Sequence, residues 1–490
     1  MEKPPSVFDR HQEWAGLTDF LPAPGSAAGG ATLGVVSGRR RQGKSFLLRA
    51  LTEAADGVYF GATEATEAES IRQFTRSIAQ QTGSVPGADV RTWDDAIRYL
   101  FTSVRGRPRP VVIDEFPFLI APSPALPSIL QRELGPGGSG ADSSARLILC
   151  GSALSVMGRL LSGTAPLRGR AGLELIMRPF GYRDAAEFWG LSDPHLALLV
   201  HAVVGGTPAY RYEFNRGDVP AGLDDFDAWI VRVVLNPQVP LFREARYLLS
   251  EEPDIRDPAL YQSVLAAIAA GHCTNGGIAS YVGRKAAEIA HPLRVLEDCG
   301  LTERQPDTFG AKRVQYRINE PLIIFYEAIM RTRWAVLESG RAAEVWRSVE
   351  HTFKAQVLGP HFESVCRSYV RDHDVDLLGE FANRVGNAVV NDPAARSQIE
   401  IDVAVTAAEQ SERPRVLALG EAKWAEKLGL SQVRRLHRAR DLLAQRKLDV
   451  DDTHFLLFSG AGFTQEVQAM AATDPRLHLI TLEQLYRDAA

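Results

Sequence analysis

Hydrophobic positions in the first third of this chain fall into short continuous runs separated by amphipathic stretches, the pattern of buried parallel strands alternating with helices. Residues 31–37 predict a strand, 46–51 open a helix, 57–61 read as a second strand and 67–80 as an amphipathic helix. Residues 109–115 form an apolar strand ending in two acids, 146–152 a further strand, and 173–180 a loop and short strand. From 182 to about 252 the pattern turns helical, with 196–204 apolar enough for a core helix. Helices over 261–270, 277–282 and 285–299 then precede two strands, 301–304 and 313–318, flanking a glycine-containing loop. After a helix near 321–330 and an amphipathic stretch to about 355, the last part predicts a helix from near Phe353, strands at 399–405 and 416–424, a helix at 431–445 and strands at 454–459 and 477–481.

The fold class is therefore α/β. At 490 residues the chain exceeds what one core serves, and roughly three or four units are expected. The boundaries fall at 1–182 (nucleotide-binding core), 183–255 (helical lid), 256–335 (three helices and a hairpin, the layout of a winged helix) and 350–490 (mixed sheet). Hydrophobic residues at 45% and charged residues at 23% are ordinary for soluble protein, and no apolar run reaches membrane-span length. The N-terminus lacks the apolar block of a secretion signal, so the expected compartment is the cytoplasm. Four scattered cysteines argue against a zinc site or disulfide framework. A net charge of -5 leaves DNA binding to local basic surfaces.

The sharpest chemistry is at 38–45, Gly-Arg-Arg-Arg-Gln-Gly-Lys-Ser, between a predicted strand and helix. Gly38 and Gly43 let the backbone curl so that its N–H groups face phosphates. Lys44 reaches the β/γ oxygens and Ser45 ligates Mg²⁺. Gly38, Arg39, Arg40, Arg41, Gln42, Gly43, Lys44, Ser45 and Phe46 thus form a candidate nucleoside triphosphate site. Asp114, at the end of its strand, suits Mg²⁺, and Glu115 suits polarising the attacking water. Ser152 is the candidate sensor of the γ-phosphate. Arg170 either supplies positive charge to the transferring phosphoryl group, in cis or to a neighbouring subunit, or is a surface arginine. The turn Gly205-Gly206-Thr207-Pro208 reads as a hinge or as a plain connector. Arg284, Lys285, Arg294, Lys312 and Arg313 put charge where winged helices meet DNA, although such units also serve protein contacts alone.

A second constellation lies downstream. Glu421 and Lys423, two apart on a strand, share a face that Asp402 on the adjacent strand can meet. Asp402 and Glu421 as metal ligands, with Lys423 orienting water and Glu363 assisting from its helix, suit Mg²⁺-assisted phosphodiester hydrolysis. Arg434, Arg435, Arg438 and Arg440 on the following helix either track a phosphate backbone or form a charged surface.

Phe8-Asp9-Arg10, the loop at 38–45, Asp114-Glu115-Phe116, Gly151-Ser152, the stretch 166–170, Gly205-Gly206-Thr207-Pro208, the phrase at 296–301, Glu400-Ile401-Asp402 and the stretch 420–424 occur in an order that resembles the archaeal-type ATPase family, a branch of the STAND-related AAA+ ATPases. The resemblance spans nearly the whole chain. It implies an AAA+-like P-loop core, ATP rather than GTP, Arg10 near the base or ribose, and a restriction-endonuclease-like PD-(D/E)xK domain at the C-terminus. Ala422 departs from the cysteine or other small residue expected there. The resulting expectation is an ATP-driven switch or motor with a DNA-directed module, a Mg²⁺-dependent nuclease in mobile-element or defence biology. The alternative is a regulatory ATPase that binds DNA or protein without cutting, as a homo-oligomer or with a partner protein.

Overall fold

The computed structural model describes residues 1–21, 30–87, 89–105, 109–250, 252, 254–255, 257–310, 314–407 and 414–487. Lys312 and Arg313 lie outside the described residues. The alternation read from the sequence yields a parallel sheet of β1 (Thr32–Ser37), β2 (Val58–Gly61), β3 (Pro110–Asp114), β4 (Arg146–Gly151) and β5 (Ala171–Ile176), in the order β2-β3-β4-β1-β5. Helices cover both faces, which is why β3 and β4 carry unbroken apolar runs. Helices Glu67–Thr82 and Trp93–Ser103 pack around Phe74, Trp93 and Ile113 on one face. His11–Phe20 and Lys44–Ala54 pack around Trp14, Leu47 and Val112 on the other. Thr66 accepts from the Glu69 amide and Thr92 forms a capping box with Asp95, so both helices of the first face start at hydroxyl caps.

Helices Tyr182–Trp189, Pro194–Val204 and Leu241–Ser250 follow, as the helical pattern predicts. Asp193 caps the second of them and a proline fills its first position. Their apolar faces do not close on themselves. One core runs from Trp189, Val203 and Trp229 through Phe325, Trp346 and Phe353 to Val403, Phe458 and Ile480. Tyr182 and Arg183 also donate to the Leu485 carbonyl at the far end of the chain. The helical region and the C-terminal sheet are thus welded through shared packing.

Helices Pro258–Ala269, Asn275–Val282 and Ala286–Asp298, with the antiparallel hairpin β6 (Thr302–Pro306) and β7 (Val314–Ile318), keep a core of their own around Val264, Ile289 and Leu296. The last sheet holds β8 (Ala382–Asp392), β9 (Ser397–Ala407), β10 (Val416–Lys423), β11 (His454–Ser459) and β12 (Leu477–Thr481), in the order β12-β11-β10-β9-β8. Strands β8 to β10 are antiparallel and β10 to β12 parallel, the mixed sheet expected. Helix Leu430–Gln445 covers the face turned away from the shared core. Strand β8 is new: its Asn, Arg and Gly positions break the apolar alternation because it is a half-exposed edge strand. Among the described residues no helix is long and apolar enough to cross a membrane.

The Gly205-Gly206 turn is a tight contact. Phe180 N–H donates to the Gly206 carbonyl at 2.9 Å, and a Cβ on Gly206 would lie 1.9 Å from the Phe180 carbonyl oxygen. Gly206→Ala should therefore destabilise the chain by about 2 kcal/mol or more, the scale of overpacking. Gly158→Ala, in open space on helix Leu154–Leu161, should be neutral or stabilise by up to ~1 kcal/mol. Urea denaturation of both variants checks the contrast.

Candidate nucleotide site and carboxylate cleft

The curl of the loop at 38–43 is set by its backbone. Gly38 has φ 151° with Met177 so close that a Cβ would lie 2.6 Å from its carbonyl oxygen, and Gly43 enters helix Lys44–Ala54 at φ 84°. Lys44 Nζ folds back to donate to the Gly38 and Arg39 carbonyls, each at 2.7 Å. Burial pulls its pKa down, with the negative charge of Glu115 and Asp114 opposing. Ser45 and Phe46 are exposed at the helix start.

Because β4 lies between β1 and β3, the acids at the end of β3 face the loop across one strand. Asp114 is buried, which works against its charge, yet hydrogen bonds from Cys150, Ser45, Tyr59 and the Glu115 amide outweigh burial and hold its pKa below the usual range. The Ser45 hydroxyl lies near the Asp114 carboxylate, and the two make a donor set of the kind Mg²⁺ takes. Glu115 adopts φ 52°, and the Ser152 hydroxyl donates to its carboxylate at 3.1 and 3.3 Å. The structure therefore brings Lys44, Ser45, Asp114, Glu115 and Ser152 together. Tyr59, which donates to Asp114, was not foreseen. It becomes legible only once the β2–β3 pairing is known.

Arg10 is buried and donates to the carbonyls of Arg178 (2.8 Å) and Gln42 (3.4 Å), with its guanidinium 4.4 Å from the Phe180 ring centre. It anchors the N-terminal segment beside the loop. Gln42 is buried as well, and Arg40 half-buried. The loop arginines turn outward to the rest of the chain. Arg39 pairs with Glu320, after β7, at 2.8 Å; Arg41 pairs with Glu244, on Leu241–Ser250, at 2.9 Å. Both carboxylates are buried, and no local sequence signal marks either as a partner. Arg170 stands elsewhere. It is exposed, immediately before β5, whose Ala171 lies beside Leu33. That is the end of the sheet away from the loop, about 15–20 Å along β1, so within one chain Arg170 does not meet the phosphate site.

In the C-terminal sheet, Gly420 lies opposite Val403, which sets Glu421 opposite Asp402. Lys423 Nζ reaches Asp402 Oδ2 at 2.9 Å and Glu421 Oε1 at 3.2 Å, as the shared face requires. The Ala422 amide also donates to Asp402, and Arg435 to Glu421 at 3.1 Å. Burial and the Asp402 charge push Glu421 up; the same two causes push Glu363, on helix Gly359–Asp372, up to about 8. Burial lowers Lys423, but Asp402 and Glu421 outweigh it and the lysine stays charged. Glu421 Oε2 is buried without a partner, an acceptor that suits a cation. Among the described residues no three Asp, Glu, His or Cys side chains gather as a metal group, so an ion here would rest on Asp402 and Glu421. Of the helix arginines, Arg438 is taken by Asp392 and Arg440 by Asp441, while Arg434 is exposed.

Glu363, Glu400 and Asp402 open onto a cleft of about 800 Å³, whose opposite wall includes Gln315 and Arg317 of β7. The hairpin is fastened there. Asn387 of β8 donates to Gln315 at 2.9 Å, and Thr308 donates to the Asn387 carbonyl at 3.0 Å. Arg284, Lys285 and Arg294 of that unit are exposed.

No protein-family model matches the chain. An uncharacterized protein of Methanocaldococcus jannaschii is 27% identical over 310 residues, 62% of this chain and 66% of that protein. The chain thus spans just under two thirds of the length of the curated relative it matches. A Walker-type ATPase of Pyrococcus abyssi has a TM-score of 0.50 at 18% identity, over 66% of this chain and 97% of that one. The ORC2 protein of Aeropyrum pernix, in ADPNP and ADP complexes, has a TM-score of 0.42 at 16% identity, over 71% of this chain and 96% of that one. The Pyrococcus likeness shows the fold: the β1–β5 sheet with its loop is a P-loop ATPase-like core.

Glu252, buried beside Arg39, Arg40 and Cys299, has a pKa raised by burial to about 7. Its folded carboxyl keeps a proton that the unfolded one loses near pH 4.3, so this group's contribution is complete below that pH and is lost as pH rises towards 7. Glu252→Gln should leave stability near wild type at about pH 4 and raise it at about pH 8 by up to roughly 3 kcal/mol. Chemical denaturation at the two pH values checks this; an equal offset at both would contradict it.

Proposed function

We propose that this chain binds and hydrolyses ATP, and that nucleotide state at the phosphate loop is coupled to a DNA-directed C-terminal module that acts as a Mg²⁺-dependent nuclease. The observation that carries the coupling is the outward pairing of the loop arginines, Arg39 with Glu320 and Arg41 with Glu244. A triphosphate brings several negative charges to the same loop and competes with both carboxylates for the arginines.

In this reading Lys44 leaves the Gly38 and Arg39 carbonyls for the β/γ oxygens, and the loop amides hold the phosphate chain. Ser45 and Asp114 would hold Mg²⁺, which when bound neutralises charge on the phosphoryl oxygens. Glu115, held by Ser152, orients and polarises the attacking water. Arg10 lies on the side proposed for base or ribose. Arg170 is assigned to a neighbouring copy's phosphates, which makes the working form an oligomer. The Walker-type name of the Pyrococcus protein supports ATP as the nucleotide.

The winged-helix reading of the unit 256–335 rests on its three helices and hairpin, and its DNA contact on exposed Arg284, Lys285 and Arg294. The nuclease reading rests on Asp402, Glu421 and Lys423 converging on two strands with Glu363 beside them. Asp402 and Glu421 would hold the metal, and Lys423 orients the water whose oxygen adds to phosphorus as the bond to the leaving oxygen breaks. A second reading, a regulatory ATPase whose nuclease-like domain binds without cutting, is favoured by one observation: Lys423 pairs with both carboxylates and Arg435 also takes Glu421.

Purified protein with Mg²⁺ and ATP should hydrolyse ATP, and Lys44→Ala should lower turnover at least about a hundredfold. ATP turnover that survives this change would remove the role given to the loop. Asp402→Ala with Lys423→Ala should abolish DNA cleavage and leave ATP binding intact. If wild type hydrolyses ATP while single- and double-stranded DNA stay whole, the regulatory reading replaces the nuclease.

A further inference from the structure

The cations around the carboxylate cleft are almost all committed. Lys423 bridges Asp402 and Glu421; Arg435 holds Glu421 and the Glu400 carbonyl; Arg367 holds the Asp402 carbonyl and lies 3.7 Å from Glu363. Arg317 differs. It comes from β7, on the other wall, and among the described residues its guanidinium forms no hydrogen bond or ion pair, although its charge is felt by Glu363 and Asp402. A guanidinium beside carboxylates, half-buried and with its donors unspent, is a ready binder for a phosphate group.

The wall that carries it is fixed in place. Besides the Gln315–Asn387 and Thr308–Asn387 bonds, the Val389 amide donates to Asp307, and Thr308 lies against Gly386 so closely that a Cβ there would come within 2.7 Å of its hydroxyl. Asp307 and Thr308 are both buried in this contact. The hairpin therefore completes the cleft as a built part of it. At about 800 Å³ the space is on the scale of a small-ligand pocket. Gln305, Gln315 and Asn387 line it with amides of the kind that meet base edges.

We propose that the C-terminal site is composite, with Arg317 of the hairpin unit binding a backbone phosphate of a single polynucleotide strand laid between β7 and the carboxylates of Glu363 and Asp402. This rests on the nuclease reading only for what happens after binding. Arg317 selects for a strand or flap thin enough to enter the cleft, and leaves the exposed face of the helix Ala286–Asp298 for duplex.

The test is the affinity of the full chain for a short single-stranded oligodeoxynucleotide, by fluorescence anisotropy, alongside ATP turnover as a folding control. Arg317→Ala and Arg317→Gln should weaken binding about tenfold or more with ATP turnover retained. Their log–log salt slope should fall by about 0.7, the share of one phosphate contact on a single strand. Arg317→Lys should recover part of the affinity, because it keeps the charge and loses the fork. Arg317→Gln binding as tightly as wild type, or a wild type that does not bind the oligonucleotide, overturns the proposal. Arg317-dependent binding by a chain that never cuts with Mg²⁺ supports the composite site and removes only the nuclease. A wild type that cuts, with Arg317→Gln cutting and binding equally well, removes only the composite site.

Discussion

Three consecutive arginines in a phosphate loop put more positive charge into a nearly closed turn than the turn can satisfy, and the carboxylates that answer them determine how the rest of the chain is held. Arg39 takes Glu320 and Arg41 takes Glu244, both acids buried. Parting a buried pair leaves an uncompensated charge at a cost of about 3–5 kcal/mol, so these contacts persist until another anion replaces the carboxylate. A nucleotide's phosphates are such an anion. The phosphate loop is thereby tied to the helical region and to the turn after β7 by its own arginines.

Strand β7 gives this tie its reach. Within six residues, the strand and the turn that follows it present Gln315 to β8, Arg317 to the carboxylate cleft and Glu320 to the loop. The helical region offers a second route, since its apolar side chains share one core with the C-terminal sheet. Close-packed cores move as bodies and do not flex continuously. A rearrangement begun at Arg39 or Arg41 is therefore transmitted through packed elements, with no slack tether to absorb it.

Much of this was legible in the chain. The loop, the acids ending β3 and the Ser152 position follow from strand–turn–helix grammar, and the structure gathers them. The Asp402, Glu421 and Lys423 set was legible because a period of two fixes which strand residues share a face. What was not legible depends on strand order and distant packing. Tyr59 touches Asp114 only because β2 pairs with β3. Glu320 and Glu244 sit among ordinary helix and loop residues with nothing local to mark them. Strand β8 was missed because an edge strand tolerates polar residues on both faces. Arg170 was grouped with the phosphate site by its place in the sequence, whereas the register of β5 carries it to the far end of the sheet.

Transmission from the loop through Glu320 to β7 is read directly by amide hydrogen exchange. Exchange in 314–318 should change when a non-hydrolysable ATP analogue binds the wild-type chain, and the change should vanish in Glu320→Gln while the analogue still binds. Exchange in β7 that ignores the nucleotide in wild type, or responds equally in Glu320→Gln, would contradict it.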